Sequence, residues 1–261
     1  MSALNLHIER RGAGTSIVFA HGFGGSARNF RPQLRDLARS FQVVAYDARG
    51  HARSPAPTEP QEYTEAELVM DLARVVGEAN PPVILGGLSL GAYTALKYAL
   101  AEPGQVRGLI LASFPSTEAG SGRAAWALGF ADAIDREGLE RAGEQFVWGA
   151  QSRFDEAARQ LIRRGLLEHP GHSLSAILRS VLARIPEPDQ LSTELSRLEI
   201  PTLVVVGSED TPALAPCERL ASLLPRAELH VVAGAGHVVN LEAPAEFNRL
   251  IEDFVRRLPP A

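Results

Sequence analysis

Short runs of aliphatic and β-branched residues alternate along this chain with longer stretches in which apolar positions recur every three or four residues. The runs at 16–20, 42–46, 83–86, 108–113, 202–207 and 228–233 predict strands, and 4–10 predicts an edge strand. Helical periodicity covers 29–39, 64–78, 90–101, 215–224 and 243–258, with Pro103-Gly104 stopping the third of these. Strand-sized runs recurring between helices are the signature of a parallel sheet covered on both faces, an α/β fold. The alternation lapses once. From 115 to 197 no strand-like run appears, and the pattern predicts helices at 123–137, 139–148, 155–168 and 174–183. Because that segment lies between two predicted strands, it must pack on the sheet, at the edge beyond the strands' carboxyl ends where ligands enter. The expected organisation is a core of residues 1–114 and 198–261 with a helical cap, residues 115–197, inserted into it.

Composition narrows the setting. With 261 residues, 45% hydrophobic and 22% charged, the chain is long enough to bury a core without disulfide or metal. A net charge of -5 gives no support for a nucleic-acid or anionic-membrane partner. Cys217 is the only cysteine, so no internal disulfide can form and a reducing compartment is expected. Residues 1–11 carry His7, Glu9, Arg10 and Arg11 with no apolar core, unlike a signal peptide, and the apolar region 83–101 is too broken to span a membrane. A cytoplasmic location is the expectation.

The candidate chemistry begins at Ser89. It is centred in Gly87-Leu88-Ser89-Leu90-Gly91, after a predicted strand and before a predicted helix. A tight turn there lifts a serine hydroxyl clear of the backbone, and flanking glycines remove the Cβ atoms that would collide. A serine needs a base to take its proton and a carboxylate to orient that base. His237 follows the strand 228–233 through Gly234-Ala235-Gly236, and Asp210 follows the strand 202–207 in Gly207-Ser208-Glu209-Asp210. All three then lie on one edge of the sheet, in the order Ser, Asp, His. Glu209 is the alternative carboxylate. The loop His21-Gly22-Phe23-Gly24-Gly25 follows the strand 16–20, which makes the backbone amides of Phe23 and Leu90 the expected oxyanion donors. That loop lacks the G-x-G-x-x-G spacing and the lysine of a phosphate cradle. His7, His169, His172 and His230 have no acid or nucleophile context and read as structural or surface residues.

Together His21-Gly22-Phe23, the stretch from Asp47 to Ser54 (Asp-Ala-Arg-Gly-His-Ala-Arg-Ser), Gly87 to Gly91, Gly207-Ser208-Glu209-Asp210, Gly236-His237 and Asn240-Leu241-Glu242-Ala243-Pro244 resemble the α/β-hydrolase superfamily. The resemblance implies an α/β-hydrolase fold with a mostly parallel eight-stranded sheet, helices on both faces and an inserted helical cap. It also implies the triad Ser89, Asp210 and His237, structural roles for His21 and His51, and no cofactor or metal. Within the superfamily the chain looks most like cap-bearing esterases, enol-lactonases and carbon-carbon bond hydrolases. The expected activity is serine hydrolysis of a small ester or lactone. The alternatives are cleavage of a ring-fission diketone, a menaquinone-pathway-like lyase, or a non-catalytic ligand receptor. The lyase type typically carries an arginine soon after the nucleophile, where Ala92-Tyr93 stand here. Trp126, Phe130, Trp148 and Phe154 are candidates for an aromatic pocket, although at amphipathic spacing such residues more often pack helices together. The partner expected is a small molecule; nothing in the pattern speaks to oligomeric state.

Overall fold

The computed structural model describes residues 4–115, 122–149 and 156–259. Seven strands form one sheet among them: β1 (Ile8–Arg11), β2 (Ser16–Ala20), β3 (Gln42–Tyr46), β4 (Val83–Leu88), β5 (Val106–Ala112), β6 (Thr202–Gly207) and β7 (Ala227–Val232). Their order is β1-β3-β2-β4-β5-β6-β7. Only β1 runs antiparallel, pairing Ile8 with Tyr46 and Arg11 with Val43. The remaining pairs are parallel. Eight strands were implied by the resemblance. Seven form among the described residues, one for each run predicted from the pattern; the edge strand expected at 4–10 starts its ladder at Ile8, and residues 4–7 stay outside it.

Eleven α-helices lie among the described residues: α1 (Arg31–Asp36), α2 (Glu65–Gly77), α3 (Leu90–Ala101), α4 (Arg123–Glu137), α5 (Leu139–Gly143), α6 (Glu156–Leu166), α7 (Gly171–Ser180), α8 (Ser192–Leu195), α9 (Thr211–Leu223), α10 (Val239–Glu242) and α11 (Pro244–Arg257). A 3-10 turn, Ala27–Phe30, precedes α1, and one π-helical turn, Glu144–Trp148, follows α5. Thr64 caps α2, its hydroxyl accepting the Glu67 N–H at 3.3 Å. Helix α9 starts four residues before the expected 215, because Pro212 falls in the first turn, where a missing N–H costs no ladder bond.

The central strands are buried along their whole length, as the covered sheet requires. Successive residues enter opposite layers. Val18, Leu85, Leu111 and Val204 pack with Leu72, Leu96 and Leu220 of α2, α3 and α9. Ile17, Ile84, Ile110 and Val205 pack with Leu34, Val239 and Ile251 of α1, α10 and α11. Between β5 and β6 the described residues form helices only, and Phe130, Ile134, Leu174 and Ile177 of α4 and α7 join the first of these layers. No helix of the described residues is long and apolar enough to cross a membrane.

Candidate active site

Ser89 is the single residue between β4 and α3, with φ 53° and ψ −117°. Residues with a Cβ occupy that region only when the surroundings over-determine it. Here they do: the Ser89 N–H donates to Ala112 O on β5 at 2.9 Å, and its carbonyl accepts the Tyr93 N–H at 3.0 Å. A Cβ on Gly87 would overlap the Gly91 backbone, and one on Gly91 would overlap the backbone of Ala20. Both glycines are therefore set by close packing of chain against chain. The half-buried Ser89 hydroxyl makes no hydrogen bond among the described residues. Leu90 is the first residue of α3, so its N–H precedes the helix's own ladder and sits at the positive end of the dipole.

Two strands away, Asp210 is buried in the loop after β6. His237, in the loop after β7, donates from Nδ1 to Asp210 Oδ2 at 2.8 Å. A carboxylate can only accept, so Nδ1 carries a proton, and in the neutral imidazole Nε2 is the nitrogen with the free lone pair. The His237 side chain is half exposed. Its loop is fastened on both sides. Glu242 accepts the N–H of Gly236 at 2.8 Å and of Val238 at 2.9 Å, and the Glu209 N–H donates to Ala235 O at 2.9 Å. Glu209 thus contributes its backbone, while its side chain is exposed. The sequence reading gave Glu242 no role; its place in the short helix five residues after His237 is the signal that was available.

The loop after β2 closes the third side. Gly25 N–H bonds to Gly22 O at 3.0 Å, turning the chain so that a Cβ on Gly22 would come within 3.4 Å of the Ser89 Cβ. The Phe23 N–H meets no acceptor among the described residues. Beneath the loop, His21, His51 and His169 are buried. Burial pushes the His21 imidazole down to about 4 and lowers His51 and His169 as well. Asp47 ties down the far end of the loop, accepting from Ala27 N–H at 2.7 Å and from Arg53 Nε at 2.8 Å. Burial opposes its charge, but these bonds outweigh that and hold its carboxyl below the usual range.

A model of the alpha/beta hydrolase family matches residues 17–250. The chain belongs to this family. It is 30% identical to "Putative carbamate hydrolase RutD" of Variovorax paradoxus, over 97% of each chain. It is 27% identical to "Putative 2-succinyl-6-hydroxy-2,4-cyclohexadiene-1-carboxylate synthase" of Bacillus subtilis, over 93% of this chain and 91% of that one. A thermophilic esterase from Thermogutta terrifontis superposes with a TM-score of 0.84 at 25% identity, covering 97% of this chain and 94% of its own.

In this hydrolase the aromatic side chains of the inserted helices are partly where the sequence suggested. Phe130 meets Phe23 edge-on at 6.3 Å, stacks on Phe146 at 5.2 Å and adjoins Trp126 at 5.5 Å. Phe130 is fully buried and Trp126 is exposed. Trp148 is not part of the group: the π-helical turn that ends on it adds a residue to the turn, and its buried ring folds back over Gly143. Phe146, not among the candidates, is the residue that joins Phe130 and Trp126. Phe154 lies outside the described residues. Among those residues no group of three or more His, Cys, Asp or Glu is arranged to hold a metal ion.

Proposed function

We propose that this alpha/beta hydrolase cleaves a small carboxylic ester or lactone through an acyl-enzyme on Ser89, with residues 1–114 and 198–261 as the core and 115–197 as a cap. The observation that carries the reading is the 2.8 Å bond from His237 Nδ1 to Asp210, on the same sheet edge as the strained Ser89 turn. That bond leaves Nε2 as the base. Ser89 Oγ attacks the carbonyl carbon while His237 Nε2 takes its proton, and Asp210 stabilises the imidazolium. The amides of Phe23 and Leu90 stabilise the oxyanion, each worth about 10²- to 10³-fold in rate. Collapse expels the alcohol, which takes the proton from His237. Water then attacks the acyl carbon with His237 as base, releasing the acid and restoring Ser89.

Carbon-carbon cleavage would use the same three residues. Against it, two of the three candidate pocket aromatics among the described residues, Phe130 and Trp148, are buried, and only Trp126 is exposed. Against the lyase reading, Ala92 and Tyr93 stand where its arginine would follow the nucleophile, and the Tyr93 hydroxyl donates to Glu65. The paired Asp210 and His237 weigh against a receptor without turnover. The test is a panel of aryl esters of graded acyl length, lactones, an aryl carbamate and a ring-fission diketone, each run with the wild type and with Ser89→Ala. Ester or lactone turnover that exceeds diketone turnover and vanishes in the variant supports the reading. Diketone preference, or turnover that survives the substitution, refutes it.

A further inference from the structure

The three buried histidines under the Phe23 loop have their ring nitrogens fully committed to backbone groups. His21 donates from Nδ1 to Gly22 O at 2.8 Å and accepts the Ala48 N–H at Nε2, 2.9 Å. His51 donates from Nδ1 to Arg49 O at 3.0 Å and accepts the Gly24 N–H at Nε2, 3.2 Å. His169 donates from Nε2 to Gly24 O at 2.8 Å and accepts the Ala52 N–H at Nδ1, 2.8 Å. The rings meet edge to face, His21 with His51 at 4.9 Å and His51 with His169 at 5.1 Å. Each ring has one donor and one acceptor nitrogen, so each is neutral and its tautomer is fixed by its partners.

These bonds fall on three consecutive peptide units. Gly22 O and the Phe23 N–H belong to one planar trans peptide, so His21, by holding that oxygen, aims the N–H in the opposite direction. The next peptide is held through the Gly24 N–H by His51. The third is held through Gly24 O by His169. His21 and His51 come from the loops after β2 and β3, but His169 comes from the inserted region, just after α6. Its neighbours press on the same loop. The Leu166 side chain fills the space where a Cβ on Gly24 would sit, and Glu168 pairs with Arg28 in the following 3-10 turn. Gly24 itself has φ 66°, a conformation open to glycine, and both its N–H and its carbonyl are tied there.

We propose that His169 is a positioning residue for the oxyanion donor: by holding Gly24 O it fixes the Phe23 amide, and it makes a complete oxyanion hole depend on the seating of residues 166–169. This rests on Ser89 and the Phe23 amide acting as described above. The inserted helices then do more than enclose substrate. They supply the third anchor of a loop whose other two anchors belong to the sheet.

His169→Asn and His169→Gln separate this role from simple packing. The asparagine places an acceptor near the Ala52 N–H and cannot reach Gly24 O; the glutamine amide N–H can reach Gly24 O. On the full chain, with p-nitrophenyl acetate as probe, His169→Asn should lower kcat by about tenfold or more, less than outright loss of a donor. KM should stay within about twofold, because the amide acts on the transition state more than on the bound ester. His169→Gln should retain kcat to within about threefold. Ile177→Val, a packing change in α7, should leave both constants unchanged. Equal kcat in the two His169 variants, a loss confined to KM, or an equal loss in Ile177→Val would overturn the proposal. Ser89→Ala is run alongside: if it keeps turnover, the serine reading itself fails, whereas its inactivity beside an unimpaired His169→Asn refutes only the role of His169.

Discussion

Ser89 and His237 stand on one edge of the sheet and are held there by different means. Ser89 is fixed by main chain: a one-residue turn at φ 53°, with Gly87 and Gly91 packed directly against neighbouring backbone. His237 is fixed by side chains: it bonds to Asp210, and Glu242 grips the amide on either side of it. On the proposed reading the difference fits the work each would do. A nucleophile and its oxyanion amides gain from rigid placement before reaction, while a base that takes a proton and then returns it needs an exposed ring with some freedom. With Ser89 as nucleophile and His237 as base, the interlocked turn and the half-exposed imidazole would divide those demands between the two loops.

The largest effects should come from breaking each side at its centre. Ser89→Ala should lower kcat by about 10⁶-fold with the melting curve unchanged, measured by ester hydrolysis and circular dichroism. Asp210→Asn should cost about 10⁴-fold, because an amide can donate to Nδ1 and so stabilises the wrong tautomer. A smaller, pH-dependent effect should appear on the Ser89 side alone. His21, held down at about 4 by burial, binds its proton more readily in the unfolded chain, where its pKa is about 6.5. Its contribution is therefore complete above pH 6.5 and is lost as pH falls toward 4. At pH 5 the loss from His21 is about 2 kcal/mol, and His51 and His169 add to it. Asp47, facing His21 and His169, and Glu168, beside His169, oppose these depressions without cancelling them; Arg28 reinforces that of His169. Denaturant titrations at pH 7 and pH 5 would measure this, and equal stability at both would contradict the neutral assignment.

On the His237 side, Glu242→Ala frees the Gly236 and Val238 amides and should reduce kcat by roughly tenfold at unchanged KM, by loosening the base without removing it. The smallest effect is at Cys217. Its buried thiol is pushed up to about 12, so iodoacetamide at pH 8 should leave activity intact. Inactivation at that site would place a second nucleophile in the account.

The same division explains what could be read before the fold was known. The Ser89 turn is local, since its glycines, the strand before it and the helix after it are contiguous in the chain. Strands β2, β3 and β6 and helices α3 and α4 fall on the expected residues because their periodicity is local too. The inserted helices are less regular. Pro170-Gly171 looks like a break, yet Pro170 caps α7 and Gly171 begins it. Trp148 fits helical spacing until a π-helical turn rotates it away. Of the side-chain anchoring, the Asp210–His237 pair was expected, but the loop's anchor was not: His169 and Gly24 are 145 residues apart, and only the packed fold brings them together.

The central claim is that Ser89 carries the acyl group. Reaction of the folded protein with a fluorophosphonate, followed by peptide mass mapping, tests it directly. One phosphonyl adduct on the peptide containing Ser89, absent in Ser89→Ala and formed far more slowly in His237→Ala, is the result predicted here. An adduct on another residue, or none while ester turnover persists, would contradict it.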